Sequence, residues 1–434
     1  MMQIKNIFKY LFFFWPFVYS NARLVSQEGG TDIYSIFSFI SPEFRYFEAL
    51  IFISINIYIY LLYIFKNEKI NPFAGNILLL IILVSIVSAV SIVQGLAPSS
   101  YIFRASYELI CPFLIFNIAS KLDLNHTTID NFLKILFLIM VINSVVILHQ
   151  FLFLFNGIFV DGDYFRGIFS DAHVQAIFSF SSAIFIISNK YFFKKFYYLV
   201  PVNIFCAFLS SNEKASIFFL FIILGIFLSK ISRRNLLIFI PILMLMTINI
   251  PLLLDIFSPR LFEYVDNFSS SDLLYFFGPI QMFLILLEQF SLSFKNIFFG
   301  IGPALFGGPS CIALIQNFLA PSSIANIFYV EAFGQFGFLP LSGFFSKSSF
   351  YLTVLGEFGI IVFIVFSYLL KNILFTIIQL HNNFLEQQVL SIFIFILLCA
   401  LLSSYSVWDS QVVLTPLFLI LSYSIINMNK VINE

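Results

Sequence analysis

Charge is what this 434-residue sequence has least of. Only 10% of its residues are Asp, Glu, Lys or Arg, whereas 60% are hydrophobic. A soluble domain has roughly 25% charged and about 45–50% apolar residues, so a water-soluble fold is excluded and the chain needs lipid as its solvent. The 22 Lys and Arg balance the 22 Asp and Glu and are scattered along the chain. A nucleic-acid-binding protein, which would show a basic face or arm, is therefore excluded.

Cysteine is scarce too, and the common enzyme motifs are missing. Three of the four cysteines, Cys111, Cys206 and Cys399, lie in apolar runs, so a disulfide framework is not expected. The sequence has no Walker loop, dinucleotide fingerprint, H-E-x-x-H, G-x-S-x-G or Cys/His zinc spacing. Asp161-Gly162-Asp163 has the form of an Asp-x-Asp metal site, but a solvated turn on the outer side explains it better. No cofactor and no metal is therefore expected.

Long apolar runs are what the sequence has in abundance. A membrane-crossing helix needs about 20 such residues. We therefore predict an all-α, polytopic integral membrane protein with about twelve transmembrane helices. The predicted spans are Ile7–Asn21, Phe44–Phe65, Asn76–Gln94, Tyr101–Ser120, Phe132–Phe155, Ala172–Ser188, Phe196–Ser210, Ala215–Ser229, Leu236–Leu254, Phe350–Ile378, Val389–Ser406 and Gln411–Asn427.

The positions of Lys and Arg indicate the orientation, because cytoplasmic loops are enriched in them. When successive breaks between spans are assigned alternately to the two sides, 14 of the 22 cations fall on one side and eight on the other. Both termini are therefore predicted to be cytoplasmic. The first span is alternatively a cleaved signal peptide ending near Ser20-Asn21-Ala22, which would leave the rest of the topology unchanged.

The longest stretch between spans, residues 255–349, falls on the outer side and is the one region with room for a site. Within it, Leu273–Leu292 is apolar but interrupted by Gly278-Pro279, which predicts interfacial helices on or in the outer leaflet. The turn-rich segment Gly300-Ile301-Gly302-Pro303 follows. The predicted organisation is nine transmembrane helices in residues 1–254, a large periplasmic loop in residues 255–349, and three more transmembrane helices in residues 350–434.

The cations predicted on the outer side are mostly arginine. A guanidinium binds phosphate bidentately and stays charged when partly desolvated, so such a set suits an anionic headgroup such as a lipid diphosphate. Ordinary anchoring in lipid headgroups is the alternative for each of them. The outer arginines are Arg23, Arg45, Arg104, Arg166 and Arg260.

Only one histidine, His173, is predicted at the outer surface. It follows Arg166 and Asp171 at the mouth of the sixth span, an arrangement typical of a proton-handling cluster. A plain interfacial histidine is the alternative.

Four segments, in order along the chain, resemble motifs of the superfamily of Wzy O-antigen polymerases and WaaL O-antigen ligases. They are Arg166–His173, Leu209–Ser216, Asn296–Pro303 and Tyr351–Ile361. The third is similar to the family's P-x-x-G-x-G-P/G segment in a large periplasmic loop, and the fourth to its Y-L-x-x-x-x-E-x-G-I segment entering the next span.

Two departures from the family pattern are informative. Lys214 stands where an Arg is common, and Ser348-Ser349-Phe350 replaces the His-Asn that ligases carry before Tyr-Leu. The absence of that histidine favours a polymerase over a ligase.

The resemblance implies a metal-independent glycosyl transfer at the periplasmic face of the bacterial inner membrane. A growing glycan would leave one undecaprenyl-diphosphate carrier and join the sugar of another. Fixed positive charge must stabilise the leaving diphosphate, and an outer carboxylate or imidazole must take the acceptor proton. The resemblance implies catalytic roles for Arg166, Arg260, Asp171, His173 and Glu357, and substrate-binding roles for Arg104, Lys214, Gly300 and Gly302.

The expected partners are undecaprenyl-diphosphate-linked oligosaccharides and membrane lipids, with a chain-length regulator protein as a further candidate and no nucleic acid. For Glu357, a carboxylate near the positive end of a helix dipole is an alternative, purely structural role.

A transporter or flippase of lipid-linked glycans is the main competing hypothesis, since twelve spans with both ends cytoplasmic is a common transporter plan. Such transporters usually place their longest break in the middle of the chain on the cytoplasmic side, and they carry charges inside several spans. Here the longest break is outside and follows the ninth predicted span, and the span interiors are nearly free of charge. These features favour a polymerase.

Overall fold

The structure is a computed structural model of the chain. It describes residues 44–66, 72–122, 124–154, 167–169, 172–188, 194–209, 289–306, 349–379, 384–402 and 413–423, with shorter pieces at 9–10, 12–13, 165, 215, 218–220, 222–223, 283 and 286–287. These residues are almost entirely helical, and no strand occurs among them. The predicted all-α class is confirmed for this part of the chain.

The helices follow one another along the chain, and α4 continues into a short π-helical segment at Gln150–Leu154. They are α1 Phe44–Lys66, α2 Ala74–Val93, α3 Ser99–Ala119, α4 His126–His149, α5 Ala172–Ser188, α6 Leu199–Leu209, α7 Phe294–Phe299, α8 Phe350–Gln379, α9 Phe384–Leu402 and α10 Val413–Tyr423.

Five of these helices, α1, α2, α3, α4 and α8, are long and apolar enough to cross a membrane. The remaining apolar helices α5, α6, α9 and α10 are shorter. The predicted spans Ile7–Asn21, Ala215–Ser229 and Leu236–Leu254 lie wholly or mostly outside the described residues. The membrane-embedded character is thus supported by five helices, while the total of about twelve spans, the periplasmic loop and the three-part organisation stay predictions.

Local sequence explains where several helices begin, end or bend. The side chain of Asn125 caps α4 by accepting a hydrogen bond of 2.9 Å from the Thr128 N–H, which satisfies one of the free donors of the first turn. Gly95 ends α2 in the left-handed region with φ 63°. Pro112 lies inside α3, and α8 is broken at Gly359.

The chain forms two compact units, each assembled from separate stretches of sequence. The first consists of residues 1–42, 125–273 and 381–399, and the second of residues 43–124, 274–380 and 400–434. In the first unit α5 and α4 both pack against α6.

The second unit is organised around α3, the most buried of the five span-length helices. It packs against α1 and α2, while α8 packs against α2 and against α7. The Phe113 ring lies 5.9 Å from Phe366 of α8 and 6.3 Å from Phe418 of α10. An exposed stripe along α2, including Leu79, Ile82 and Ile86, suits a face in contact with lipid.

Candidate functional site

In the second unit, the turn after α7 packs backbone to backbone against the break in α8. We call this contact the glycine junction and define it by residues 300–306 and 356–359. Gly300 has φ 73° and ψ 179°, and Gly359 has φ 78° and ψ 177°, a backbone region that is essentially restricted to glycine. A Cβ atom on Gly359 would lie 2.3 Å from the Phe298 carbonyl oxygen. The junction therefore requires glycine at both positions.

The turn supplies a hydrogen bond at the place where α8 is interrupted. The N–H of Ile301 donates to the Gly356 carbonyl over 2.7 Å, a carbonyl that would accept from the Ile360 N–H in a regular α-helix. Gly356 also makes room for a ring, since a Cβ atom there would lie 2.3 Å from Cδ1 of Phe306. The turn thus supplies a donor for the broken helix, and the helix leaves space for the Phe306 ring of the turn.

Glu357, predicted to be catalytic, lies inside this junction. Its side chain is 2% exposed, and its Oε1 accepts a hydrogen bond of 3.3 Å from the backbone N–H of Phe306. The carboxylate faces the backbone of the turn and sits well beyond the first turn of α8, which begins at Phe350. Because α8 is broken at Gly359, Glu357 also lies just before the start of the second helical segment, so its position fits both holding the turn and a place near a helix dipole.

The other side of the turn contacts the end of α2. A Cβ atom on Gly302 would lie 3.1 Å from Cδ1 of Leu96 and 3.5 Å from Oγ of Ser91. Lys295 on α7 donates from Nζ to Oε1 of Gln94 at the end of α2. The turn is therefore held from two directions, by α2 and by α8.

Residues of the turn also form part of an apolar cluster. Its buried members are Leu286, Ile301, Leu305 and Phe306, with Leu96, Ala97, Tyr101, Phe290, Leu352 and Leu355 packed around them. Burial of this kind stabilises the turn through apolar area removed from water or headgroups.

A second polar cluster, in the first unit, holds the residues that follow Arg166 in the chain. We call it the amide network. Gln150 accepts from the Gly167 N–H over 3.0 Å and donates to the Gly167 carbonyl over 3.3 Å. Asn143 accepts from the Ile168 N–H over 3.1 Å. Gly167 has φ 62°, and a Cβ atom there would lie 2.2 Å from Oδ1 of Asn143.

The amide network continues into α5 and α6. Asn143 donates to Oγ of Ser179 over 3.5 Å, and Gln175 donates to the same oxygen over 2.9 Å. Gln175 also donates to the Cys206 carbonyl over 3.2 Å. Asn143, Gln175 and Ser179 are fully buried, so these bonds form in an apolar environment where an unpaired polar group would be costly.

The third polar cluster lies on α3 and includes the predicted Arg104. Its Nε donates to Oε1 of Glu108 over 2.9 Å, one helical turn along the same face. Tyr107 donates to Oε1 of Glu48 on α1 over 2.7 Å and accepts from the Cys111 thiol over 3.3 Å. Arg104 thus lies inside a span-length helix, and Tyr107 of the same helix binds the buried Glu48 of α1.

The structure places four of the predicted site residues. Gly300, Gly302 and Glu357 come together at the glycine junction, whereas Arg104 lies on α3. His173 is the second residue of α5, with its side chain outside the described part of the chain. Arg166, Arg260, Asp171 and Lys214 also lie outside the described residues.

Sequence reasoning missed Asn143 and Gln150. Both are polar residues within one apolar run, separated by about two helical turns and therefore on one face of α4 and the π-helical segment that continues it. That spacing is the signal that could have found them, because a polar pair on one face of a span needs a polar partner.

Within the described residues, no group of three or more His, Cys, Asp or Glu side chains could hold a metal ion. Cys111, Cys206 and Cys399 are buried thiols. In comparisons with known proteins, the sequence matches no protein-family model and no curated protein.

Proposed function

We propose that this chain is a membrane-embedded glycosyltransferase. It polymerises undecaprenyl-diphosphate-linked oligosaccharide repeat units into O-antigen or capsular-type polysaccharide at the periplasmic face of the bacterial inner membrane. The proposal includes about twelve transmembrane helices, cytoplasmic termini and the loop at residues 255–349 on the periplasmic side.

The glycine junction is the observation that carries this proposal. Two of the four segments that resemble the polymerase family lie far apart in sequence: Asn296–Pro303 is inside the predicted loop, and Tyr351–Ile361 follows the end of that loop. They meet through the Ile301 to Gly356 hydrogen bond and the contact between Gly300 and Gly359. Motif resemblance alone does not require such a meeting, whereas a shared active site that uses both motifs does.

The proposed reaction is the attack of an acceptor sugar hydroxyl on the anomeric carbon of the donor glycan. A carbon–oxygen bond forms, the bond to the lipid diphosphate breaks, and the hydroxyl proton passes to a base. We assign stabilisation of the leaving diphosphate to Arg166 and Arg260, supported by Arg104 and Lys214, because pre-arranged positive charge is worth most where negative charge develops. Asp171 and His173 are the candidate bases.

Arg104 keeps donors for an anion even while it pairs with Glu108. Its contact with that carboxylate uses Nε, and a guanidinium has four further N–H donors. Its side chain is 25% exposed. A diphosphate oxygen could therefore bind without displacing Glu108.

The test is the length of surface glycan in a strain that lacks this gene. Complementation uses the wild-type gene, Arg166→Ala, Arg104→Ala and, as a control, Lys194→Ala, which removes an exposed cation predicted on the cytoplasmic side. We expect the deletion to collapse the glycan ladder to a single-repeat band. The wild type and Lys194→Ala should restore the ladder, and Arg166→Ala should not.

A flippase of lipid-linked glycans is the second candidate, and two observations favour it. The helix α8 is discontinuous at Gly359, and Glu48 is buried within α1; transporters often use broken helices and intramembrane charges. In the same strain, a flippase would give complete loss of surface glycan, with single repeats trapped on the cytoplasmic side. A ligase would instead leave full-length polymer on its lipid carrier.

A further inference from the structure

Two side-chain amides, Asn143 of α4 and Gln150 at the start of the π-helical segment that follows it, hold the backbone that follows Arg166. Gln150 pairs with both the N–H and the carbonyl of Gly167, at 3.0 Å and 3.3 Å. Asn143 accepts from the next N–H, that of Ile168. Consecutive residues of this segment are therefore fixed by hydrogen bonds to one helix face.

Aromatic rings flank the same segment. Phe165 is buried in an apolar cluster with Ile147, Cys206 and Leu209. Phe169 is fully buried, and its ring lies 4.9 Å from that of Phe178 on α5. The described residues on both sides of position 166 are thus anchored.

We propose that Asn143 and Gln150 are positioning residues, which hold Gly167 and Ile168 and act on glycosyl transfer through Arg166. This inference rests on the proposed function. A guanidinium stabilises a leaving diphosphate only if its position is set before the reaction, and a misplacement of about 1 Å can cost roughly 100-fold in rate. Two neutral amides achieve this within an apolar helix without adding charge to the membrane.

The chemistry of Gln150 explains why an amide is used. One amide offers a donor and an acceptor side by side, which matches the N–H and carbonyl of a single residue. A glutamate would still accept from the Gly167 N–H, but its second oxygen would face the Gly167 carbonyl. A leucine would leave both backbone groups without this partner in a buried place.

The contact itself is tested by amide hydrogen exchange on the purified full-length protein in lipid nanodiscs. The variants are Asn143→Leu, Gln150→Leu and, as a matched control, Asn203→Leu. Asn203 is also a fully buried amide of the first unit, but it donates to Leu199 of its own helix. We expect faster exchange of Gly167 in Gln150→Leu and of Ile168 in Asn143→Leu, and unchanged exchange of both in Asn203→Leu. Unchanged exchange in the first two variants would overturn the proposal.

Gly167→Ala breaks the contact from the other side, with both amides still present. A Cβ atom at this position would lie 2.2 Å from the Asn143 oxygen, so the amide and the segment must separate. This variant provides a second route if Asn143→Leu or Gln150→Leu fails to reach the membrane. It should show faster exchange of Ile168, and wild-type exchange there would count against the proposal.

The role in the reaction is tested by a double-mutant cycle with Arg166→Ala, using polymerisation of purified lipid-diphosphate-linked repeats. If Asn143 acts through Arg166, Asn143→Leu lowers kcat by about 10–100-fold with KM changed by less than about twofold. The same change causes no further loss when Arg166→Ala is already present. Losses that multiply would show an independent structural role and overturn the proposal.

The outcomes separate this inference from the proposed function. If the wild-type protein polymerises and the cycle is additive, the function stands and the positioning role falls. If the wild-type protein makes no polymer, the proposed function and the role in it both fall, while hydrogen exchange still reports whether the two amides hold the segment.

Discussion

Gly300 and Gly359 lie so close together that neither could carry a side chain. A Cβ atom on Gly300 would be 2.7 Å from the amide nitrogen of Gly359, and one on Gly359 would be 2.5 Å from the amide nitrogen of Gly300. Real Cβ atoms essentially never come within 3.0 Å of another heavy atom. Each of the two positions therefore requires glycine because of the other. Their contact joins a turn of the predicted loop to the interrupted helix α8.

We predict that Gly300→Ala and Gly359→Ala each destabilise the protein and shorten the glycan. The backbone conformation alone costs a non-glycine residue about 1–3 kcal/mol. Moving the two backbone segments apart to fit the new methyl group would also strain the hydrogen bond from Ile301 to Gly356. Thermal unfolding and the glycan ladder measure the two effects. Gly75→Ala is the control, because a Cβ atom there meets nothing within 4 Å. A wild-type melting temperature in either variant would contradict the prediction.

Glu357 gives a prediction that separates two roles of a carboxylate. Glu357→Gln keeps an oxygen that accepts from the Phe306 N–H, so we expect it to retain most of the polymer. Glu357→Leu leaves the buried Phe306 N–H without its acceptor, at a cost of about 1–3 kcal/mol. We therefore expect this variant to make no polymer. Both variants are compared by glycan ladder and by thermal unfolding. A Gln variant that is fully folded but inactive would instead identify Glu357 as the proton acceptor.

Tyr107→Phe tests the buried contact between α1 and α3. It removes the hydroxyl that donates to Glu48 over 2.7 Å, and a lost hydrogen bond to a charged group costs about 1.5–3 kcal/mol. We expect the free energy of unfolding, measured by denaturant titration in detergent, to fall by that amount. Tyr58→Phe is the matched control, since Tyr58 is 60% exposed on α1. Equal stability of the two variants would refute the importance of this contact.

The two ends of α3 test the orientation of the chain. The test uses a Cys311→Ser variant, because the three other cysteines, Cys111, Cys206 and Cys399, are buried. In that variant, Ser99→Cys should react with a membrane-impermeant maleimide added outside spheroplasts. Lys121→Cys should react only after the membrane is permeabilised, because the positive-inside rule places it in the cytoplasm. The opposite pattern would invert the topology and place the glycine junction on the wrong side for a periplasmic reaction.

The sequence predicts best where a helix is defined by its own apolar run. The predicted bounds of α5, Ala172–Ser188, coincide with the observed ones, and those of α1 and α8 differ by one residue. In lipid, the backbone of such a run must satisfy its hydrogen bonds internally, which favours a helix. Local information is sufficient for these helices.

Contacts between distant segments could not be predicted in the same way. The span predicted at Phe350–Ile378 contains a break at Gly359, where the N–H of the distant residue Ile301 donates to the Gly356 carbonyl. Likewise, the sequence did not predict that Tyr107 on α3 donates to Glu48 on α1 over 2.7 Å. In both cases the deciding partner is revealed only once side chains and turns are placed in three dimensions.

The interleaved course of the chain has a consequence for its biosynthesis. Gln94 and Lys295, which pair beside the glycine junction, are separated by 201 positions, so a ribosome adding about 5–20 residues per second needs on the order of 10–40 s to make the second partner. During this interval α1–α3 can already form two buried polar contacts among themselves. Tyr107 donates to Glu48, and Asn117 donates to Asn56 over 2.8 Å. The contacts within α1–α3 therefore do not depend on α7 and α8, which are synthesised later.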